Sequence, residues 1–371
     1  MNVLSLFDGI SCGRFCLDRL REPVVYYASE INEPAQFVSN KNYPDIIRLG
    51  DVTNWRQWPL DWSSIDLLIA GSPCQGFSTA GKAGGTKAVI DGETHIIDSR
   101  NRYMWAKGMG AEFLSESHLF WEFILILDHV KKHNPRVRFM LENVKMSQNN
   151  MNMITAAVGV EPVFINSALV SAQNRQRYYW CNWKVPQPGD TGIMLADILE
   201  INPKNTVVMT DTFVNRQKGR KCLVDNFNRK ASSFSAMEYV KNGRQGDYIA
   251  IRPAAMVGRK IRQDGKRDDY SDLPIVQMLE VGEGYKARCL STVQKDTLYS
   301  DMEPGRYVAA DEQTRYRKFT PIECERLQGL PDNYTAGVSN TQRYMMIGNG
   351  WQCDTIVHIF FWLLIDMVGD K

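Results

Sequence analysis

The sequence lacks several features that would assign it to a common class of proteins at once. None of its eight cysteines forms a C-x-x-C pair, and its first residues, MNVLSLFDG, do not contain the basic and apolar segments of a signal peptide. Both observations favour a reduced, intracellular protein over a disulfide-bonded secreted one. Cys12 and Cys16 would share one helix face but have no further zinc ligands nearby, so we interpret them as small hydrophobic residues and expect no metal site.

Charge of one sign and long apolar runs are also scarce. The 371 residues carry a formal net charge of +2, so the chain is not polybasic as a whole and any nucleic-acid-binding patch must be local. The longest apolar run, 355–368, is too short to span a bilayer and contains His358 and Asp366. We therefore predict a buried C-terminal helix and no contact with a membrane.

Apolar runs typical of strands and of helices alternate along the first half of the chain. The predicted strands cover 2–8, 24–30, 65–72 and 137–144, and the predicted helices cover 11–20, 34–44 and 117–135. The strand IDLLIAGS is apolar almost throughout, as in a parallel sheet that is covered on both faces. The repeated units predict an α/β fold with a doubly wound sheet.

The alternation ends near Pro186, and the charge then becomes uneven. Residues 204–267 contain 15 Lys and Arg against 5 Asp and Glu, a local balance of +10, whereas residues 268–312 contain 4 against 10. Aromatic residues lie among the basic ones, and this interleaving favours a nucleic-acid-binding face over a solvated surface. The predicted domains are 1–184 completed by 336–371, and a second, smaller domain over 185–335.

The segment LSLFDGISCG (4–13) predicts a strand that enters a glycine turn and then a helix. Such a turn lets backbone N–H groups approach an anionic or zwitterionic ligand. The G-x-G-x-x-G fingerprint is absent, which argues against a nicotinamide-dependent dehydrogenase. Glu30 ends the next strand, where a carboxylate can bind two ribose hydroxyls, and Asp51 could accept a hydrogen bond from an exocyclic amine. This set fits S-adenosylmethionine; the alternative is that both acids only cap neighbouring elements.

Four further residues could carry chemistry. Cys74 follows a predicted sheet strand, at the edge where open α/β sheets bind ligands, and could be a packing residue, a metal ligand, half of a disulfide or a nucleophile. Glu142 ends another apolar strand, where a carboxylate is costly unless it has a partner or a function. Arg175 and Arg177 occupy alternate positions of a predicted strand and would point to the same side. A thiol, a carboxylate and paired guanidiniums together favour a catalytic site.

Short segments with these residues follow one another along nearly the whole chain. They are FDGISCG (7–13), Glu30, GDV (50–52), SPCQGFS (72–78), ENV (142–144), QNRQR (173–177), FTPIECERLQGLPDNYT (319–335) and IGNGW (347–351). In this order they resemble the DNA (cytosine-5) methyltransferases, and the ordered set is far more specific than any one motif. The amino-methyltransferases carry a Pro-Pro pair where this chain has Pro73-Cys74, which disfavours transfer to adenine N6 or cytosine N4.

The resemblance implies a fold, a cofactor and a mechanism. The fold would be the Rossmann-like sheet of the S-adenosylmethionine-dependent methyltransferases, with 185–335 as the target-recognition domain. Cys74 would add as a thiolate to C6 of a flipped-out cytosine and so activate C5 for methylation. Glu142 would hold or protonate N3, while Arg175 and Arg177 would orient the base and Glu142. The implied cofactor-binding residues are Phe7, Asp8, Gly9, Glu30, Asp51, Val52 and Asn349.

The resemblance also implies partners and a setting. Double-stranded DNA would bind a monomeric enzyme in the cytoplasm of a prokaryotic or phage-infected cell, with a role in restriction-modification or phage self-protection and a cognate restriction endonuclease as a candidate partner. Two alternatives stay open: a tRNA cytosine-5 methyltransferase with the same motifs, and a non-catalytic DNA-binding protein of the same fold. The polar insertion 87–110 either contacts the DNA backbone through Arg100 or Arg102 or decorates the surface.

Overall fold

The contacts within the computed structural model divide the chain into two compact units. The described residues are 1–73, 87–198, 200, 252–260, 262, 273–281, 287–288, 298–300, 307–309, 316–318 and 320–369. The first unit comprises Met1–Ser167, Gln176–Gly189 and Gly350–Lys371, and the second comprises Ala168–Arg175 and Asp190–Asn349. The first unit is therefore discontinuous in sequence and is completed by the last part of the chain.

A seven-stranded sheet forms the centre of the first unit. Its strands, in spatial order, are β3 (Ile47–Arg48), β2 (Val25–Ser29), β1 (Asn2–Leu6), β4 (Leu67–Gly71), β8 (Arg138–Val144), β11 (Gln176–Cys181) and β9 (Pro162–Asn166). The first five run parallel, whereas β11 is antiparallel to both of its neighbours. Parallel neighbours need long crossover connections, which helices supply here.

Helices cover both faces of this sheet. They are α1 (Cys12–Arg19), α2 (Glu33–Asn42), α3 (Arg100–Gly108), α4 (Phe120–His133), α5 (Gln148–Val158) and α8 (Cys353–Gly369). On one face, Leu4 and Phe139 share a hydrophobic core with α4 and α5. On the other face, Ile69 packs against Gly13 of α1, and the Cys16 thiol of α1 contacts the first residue of α8. The predicted doubly wound α/β fold is confirmed, and the predicted elements of the first half are present with slightly shorter bounds.

The insertion between β4 and α4 folds onto the first unit. It contains an antiparallel sheet of β5 (Lys87–Ile90), β6 (Glu93–Ile96) and β7 (Glu112–Phe113), with α3 between β6 and β7. Glu122 of α4 is fully buried, accepts hydrogen bonds from Trp55 Nε1 at 2.9 Å and Tyr103 Oη at 2.7 Å, and is ion-paired with Lys107. Because Tyr103 and Lys107 belong to α3, this carboxylate holds the insertion against α4.

The described residues of the second unit form short strands and two helices. The strands are β10 (Gln173–Asn174), β12 (Arg252–Lys260), β13 (Ile275–Val281), β14 (Ala287–Arg288), β15 (Leu298–Ser300), β16 (Tyr307–Ala309) and β17 (Tyr316–Lys318), and the helices are α6 (Pro321–Leu327) and α7 (Asn340–Asn349). One antiparallel sheet has the order β16-β13-β12-β15-β17. Thr320 and Glu323 form a reciprocal capping box at the start of α6, which fixes where this helix begins.

The predicted domain boundaries after residues 184 and 335 divide the chain by function and remain a prediction. The compact units divide it at other residues, because 168–175 and 336–349 belong to the second unit. Most of the basic stretch 204–267, with its aromatic residues, lies outside the described residues.

Helix α8 carries the apolar run near the C-terminus. Together with α7, the stretch Asn340–Gly369 is long and apolar enough to cross a membrane by length and composition alone, a weak indication because core helices meet the same criterion. The α8 side chains Ile356, Ile359, Phe360 and Leu363 are fully buried in the first unit. This packing confirms the predicted buried helix.

The substitution Glu122→Gln is expected to destabilise the first unit. It leaves Lys107 without its anion and places the amide N–H₂ of glutamine next to the hydrogen-bond donor of Trp55 or Tyr103. We expect the free energy of unfolding to fall by about 3 kcal/mol. Chemical denaturation followed by circular dichroism measures this change. The matched control on the same helix is Asp128→Asn, because Asp128 is 35% exposed in its ion pair with Arg100, and a change below about 0.5 kcal/mol is expected. Equal effects of the two substitutions would contradict the anchoring role of Glu122.

Candidate active site

The carboxyl ends of β1, β2, β4 and β8 lie at one edge of the sheet, and several predicted site residues follow them. Phe7 and Gly9 follow β1, Glu30 follows β2, and Glu142 lies near the end of β8. Gly71 ends β4 and is paired in register with Glu142. Ligands of open α/β sheets bind at this edge. The structure therefore brings predicted cofactor-binding and catalytic residues to the same place.

The turn after β1 has a strained backbone. Phe7, Gly9 and Ser11 have φ angles of 56°, 58° and 62°, all in the left-handed region. Glycine adopts this region freely, whereas the other two residues do so only where surrounding contacts hold them. The Gly9 N–H donates to Glu30 Oε2 at 2.8 Å, and a Cβ on Gly9 would meet no atom within 4 Å. The turn thus leaves open space beside Gly9 for a ligand.

Asp8 holds this turn from inside the protein. Its carboxylate accepts hydrogen bonds from the hydroxyl groups of Ser5 at 2.7 Å, Tyr26 at 2.8 Å and Ser11, and Arg48 lies 4.0 Å away. The side chain is only 1% exposed. Burial raises the pKa of the Asp8 carboxyl above its usual value, although the hydroxyl donors and Arg48 oppose this shift. The carboxylate of Asp8 is therefore turned to protein hydroxyl groups rather than to the open side of the turn.

Glu30 has a fixed carboxylate at the predicted ribose site. Its Oε1 accepts hydrogen bonds from the N–H groups of Ile31 at 2.8 Å and Asn32 at 2.7 Å, and its Oε2 accepts one from Gly9. A carboxylate has about four acceptor positions, so roughly one remains for a ligand hydroxyl. Ile31, which the sequence analysis did not single out, is 68% exposed beside it and offers an apolar surface to a heteroaromatic ring. The only signal in the sequence was an aliphatic residue directly after the acidic one.

Asp51 and Val52 have structural contacts. Asp51 Oδ1 accepts a hydrogen bond from the Thr53 N–H at 2.8 Å and caps the 3₁₀ turn Val52–Gln57. Val52 is buried in the hydrophobic core next to the sheet. The capping interpretation of Asp51 therefore holds, and contact of either residue with an adenine ring stays a prediction.

Glu142 and Arg177 form an ion pair across the neighbouring strands β8 and β11. Arg177 Nε lies 2.9 Å from Glu142 Oε1, and the two side chains are 12% and 11% exposed. Within the described part of the chain, Glu142 Oε2 has no hydrogen-bond partner. A nearly buried carboxylate with one oxygen held by a guanidinium and the other free is suited to exchange a hydrogen bond or a proton with a ligand.

Cys74 lies outside the described residues, but the segment that leads into it is held against β8. Ser72 is buried, and its Oγ accepts a hydrogen bond from Asn143 Nδ2 at 3.1 Å. Asn143 directly follows Glu142 in the chain. The segment before Cys74 and the strand that carries Glu142 are therefore joined by a direct side-chain contact.

Arg175 and Asn349 belong to the second unit. The prediction that Arg175 and Arg177 share one strand is wrong, because Arg175 falls in the break between β10 and β11. Its buried guanidinium donates to the backbone carbonyl of Gly348 at 3.4 Å. Gln328, also buried, donates to the preceding carbonyl at 2.6 Å. Both side chains thus bind the last turn of α7, which ends at Asn349, and no pattern in the sequence indicated this role for Gln328.

The two arginines of the insertion are already paired. Arg100 forms an ion pair with Asp128, and Arg102 forms one with Asp98 at 3.2 Å. An acidic partner offsets the attraction of each guanidinium for phosphate, which favours the surface interpretation of the insertion over contact with the DNA backbone. The exposed large apolar side chains of the insertion are Ile96, Met104, Trp105, Met109 and Leu114.

The described cysteines have the surroundings of structural thiols. They are Cys12, Cys16, Cys181, Cys324 and Cys353, all buried and all free. Burial raises the pKa of the Cys16 and Cys181 thiols, which disfavours the reactive thiolate. Among the described residues, no group of three or more His, Cys, Asp or Glu side chains is arranged to hold a metal ion.

The doubly wound sheet carries an open glycine turn, a carboxylate held by backbone N–H groups and a guanidinium-held glutamate at one edge, where open α/β proteins bind ligands. Comparison with known proteins identifies the family. The sequence model of the C-5 cytosine-specific DNA methylases matches residues 1–361, so the chain belongs to this family. It is accordingly an S-adenosylmethionine-dependent DNA (cytosine-5)-methyltransferase.

Individual relatives cover nearly the whole chain. The Type II methyltransferase M.HpaII of Haemophilus parainfluenzae is 25% identical in an alignment 374 positions long, which covers 93% of this chain and 84% of the relative. The Type II methyltransferase M.HgiCI of Herpetosiphon aurantiacus is 23% identical in an alignment 402 positions long, which covers 94% of each. The solved structure of the Entamoeba histolytica methyltransferase EhMeth has a TM-score of 0.57 and 14% identity, and the match covers 99% of this chain and 98% of that one. This structural likeness shows the fold.

The substitution Asp8→Asn is expected to weaken cofactor binding by loosening the turn after β1. An amide cannot accept hydrogen bonds from all three hydroxyl groups, so the turn loses part of a set of charge-assisted bonds that contribute about 1.5–3 kcal/mol each. We expect the affinity for S-adenosylhomocysteine, measured by calorimetry, to fall by roughly tenfold or more. Asp45→Asn is the control, because Asp45 forms an exposed pair with Arg14. Unchanged affinity in the Asp8 variant would show that the turn does not depend on this carboxylate.

Proposed function

We propose that the enzyme methylates C5 of a flipped-out cytosine in a specific duplex DNA sequence through a covalent adduct between Cys74 and C6 of the base. The observation that carries this proposal is the Glu142–Arg177 ion pair. Glu142 is paired in register with Gly71, the last residue of the strand that precedes Cys74. Such an arrangement supplies a fixed carboxyl group beside the strand end that precedes the Cys74 thiol in the chain. A flipped base is required because C5 and C6 cannot be reached inside a stacked duplex.

The chemistry explains why both a thiol and a carboxyl group are needed. C5 of cytosine is a weak nucleophile, so the Cys74 thiolate first adds to C6 and moves electron density toward C5 and N3. The free Oε2 of Glu142 would hydrogen-bond or protonate N3 and offset the charge that develops there. Bound S-adenosylmethionine supplies an electrophilic methyl group. Removal of the C5 proton by a base and expulsion of the Cys74 thiolate then give 5-methylcytosine.

The residues present fit the cofactor. We assign a ribose hydroxyl of the cofactor to Glu30, whose carboxylate is already oriented by three backbone N–H groups, and place the cofactor in the open space beside Gly9. Phe7 would face the same space, and Ile31 would contact the adenine ring, which Asp51 could also approach. Asn349 would complete the site from the end of α7.

The two arginines would have different roles. Arg177 would hold the Glu142 carboxylate in place, since it forms the ion pair with Oε1. Arg175 would act through the last turn of α7, because its guanidinium binds the carbonyl next to Asn349. On this assignment Arg175 positions Asn349 rather than the base.

The biological setting is proposed from the relatives. Matches to Type II methyltransferases over most of the chain support a role in restriction-modification or phage self-protection, a cytoplasmic location and a cognate restriction endonuclease as partner. Residues 185–335 would form the target-recognition domain, and the enzyme would act on DNA as a monomer. Bisulfite sequencing of DNA from cells that express the chain reports activity and target sequence together.

Trapping with a duplex that contains 5-fluorocytosine tests the covalent step. Fluorine at C5 prevents the final elimination, so the wild-type enzyme with S-adenosylmethionine is expected to form a denaturation-resistant adduct that mass spectrometry places at Cys74. Cys74→Ser is expected to form no adduct and to lose methyl transfer. Parallel assays on duplex DNA and tRNA decide the nucleic acid, and transfer to tRNA alone would overturn the proposal. Methylation of DNA by the Cys74 variant would refute the mechanism.

The substitution Glu142→Gln is expected to slow methyl transfer by about 10²–10⁴-fold, because a neutral amide cannot donate a proton to N3. Cofactor affinity should change little, since Glu142 is not assigned to the cofactor. The rate is measured in single-turnover assays with duplex DNA, and the affinity with S-adenosylhomocysteine. Glu161→Gln, at an exposed glutamate between α5 and β9, is the matched control and should leave both quantities unchanged. A rate within threefold of wild type would remove Glu142 from the mechanism.

A further inference from the structure

The indole of Trp351 lies against Gly71, at the carboxyl end of β4. An ideal Cβ built on Gly71 would lie 2.7 Å from Trp351 Nε1 and 3.3 Å from its Cε2. Real Cβ atoms essentially never approach another heavy atom as closely as 2.7 Å, so only glycine fits at position 71 while tryptophan occupies 351. The size of one residue therefore dictates the identity of the other, although 280 positions separate them in the chain.

Gly71, against which the indole lies, is also next to the carboxylate of Glu142. The Cβ position on Gly71 that lies next to Trp351 is also 3.4 Å from Glu142 Oε2. Glu142 Oε1 is paired with Arg177, so the second oxygen is on the side of Gly71 and Trp351. The carboxylate is thus bordered by a guanidinium at one oxygen and by the end of β4, on which the indole packs, at the other.

Trp351 has little freedom to move away. It is only 9% exposed, and its opposite ring edge reaches α1, where a Cβ on Gly13 would lie 3.3 Å from Trp351 Cζ3. Its backbone carbonyl lies 3.8 Å from the Cys353 thiol at the start of α8. The indole consequently spans the space between the helix after the cofactor turn and the strand that ends before Cys74.

We propose that Trp351 is a positioning residue for methyl transfer: by packing on Gly71 it fixes the end of β4 and the free oxygen of Glu142. This role rests on the proposed function, because it acts through Glu142. A displacement of a catalytic group by about 1 Å can cost on the order of a hundredfold in rate. Extra bulk at position 71 should therefore slow the chemical step, as should removal of the indole from the wild-type enzyme, whereas removal of the indole from the Gly71→Ala variant should relieve the steric clash.

Four proteins test this coupling: wild type, Gly71→Ala, Trp351→Val and the double variant. In single-turnover assays with saturating cofactor and duplex DNA, Gly71→Ala is expected to be at least tenfold slower than wild type, with a smaller loss in affinity for S-adenosylhomocysteine. The double variant should recover to within threefold of Trp351→Val. A Gly71→Ala enzyme as fast as wild type, or a double variant as slow as Gly71→Ala, would overturn the proposal.

Gly13→Ala is the matched control for the rescue. A Cβ there would first meet Ile69 Cδ1 at 2.6 Å and Tyr26 Oη at 2.7 Å, so Trp351→Val should not restore this variant. Equal rescue at both glycines would mean that Trp351→Val only loosens the fold, and it would count against a specific contact with Gly71.

Thermal midpoints of the same proteins give a second measurement that needs no substrate. Gly71→Ala should lower the midpoint, and Trp351→Val should cancel part of that loss in the double variant but not in the Gly13 control. If the wild-type protein methylated neither DNA nor RNA, the proposed function would fail. The midpoints would still decide whether Trp351 and Gly71 are coupled, and additive shifts would reject the coupling.

Discussion

The pairing of β4 with β8 in register decides which side chains meet at the functional edge of the sheet. Gly71 lies opposite Glu142, and Ser72 is bonded to Asn143 one residue further on. Successive side chains of a strand point to opposite faces, so a slip of one residue would turn Glu142 away from Arg177 and would move the chain before Cys74. The apolar residues of both strands, buried on both faces, specify this register. Catalytic geometry is therefore set by packing in the core of the sheet.

Three buried carboxylates show how the protein separates structural from chemical roles. Asp8 is saturated by hydroxyl donors, and Glu122 is saturated by an indole, a phenol and an ammonium group. Glu142 has a cation at one oxygen only. Desolvation penalises all three charges, and the partly exposed Glu142 is the carboxylate that keeps an acceptor position for water or a ligand. The number of hydrogen-bonding and ionic partners, rather than burial itself, distinguishes Glu142 from the two structural carboxylates.

The sequence predicted the sheet and the residues at its edge because both follow from local patterns. Apolar runs that alternate with helical periodicity imply parallel strands, and parallel strands bring Gly9, Glu30 and Glu142 to one edge. The inward orientation of Asp8 was not predictable in this way, since it depends on hydroxyl groups from β1, from the turn before α1 and from β2. Arg175 was misplaced because a break of one residue interrupts the strand that its spacing suggested.

Other parts of the site depend on contacts between distant segments. Gln328 binds the end of α7, and Trp351 packs on Gly13 and Gly71, although nothing near these residues in the sequence indicates such contacts. Glycine in a strand or helix is usually explained by turns and backbone conformation. Gly13 and Gly71 are required for a different reason, because neighbouring side chains already fill the space that a Cβ would need.

The discontinuity of the first unit has a consequence for biosynthesis. Its seven sheet strands lie within residues 2–181, but α8, with the buried side chains Ile356, Ile359, Phe360 and Leu363, is translated only after most of the second unit. Until then the nascent chain lacks the apolar partner that covers part of α1, and unprotected apolar surface favours aggregation or capture by chaperones. The chain must therefore keep a complete but partly uncovered sheet from misassembling while the second unit is translated, and the first unit reaches its native packing only once α8 has been made.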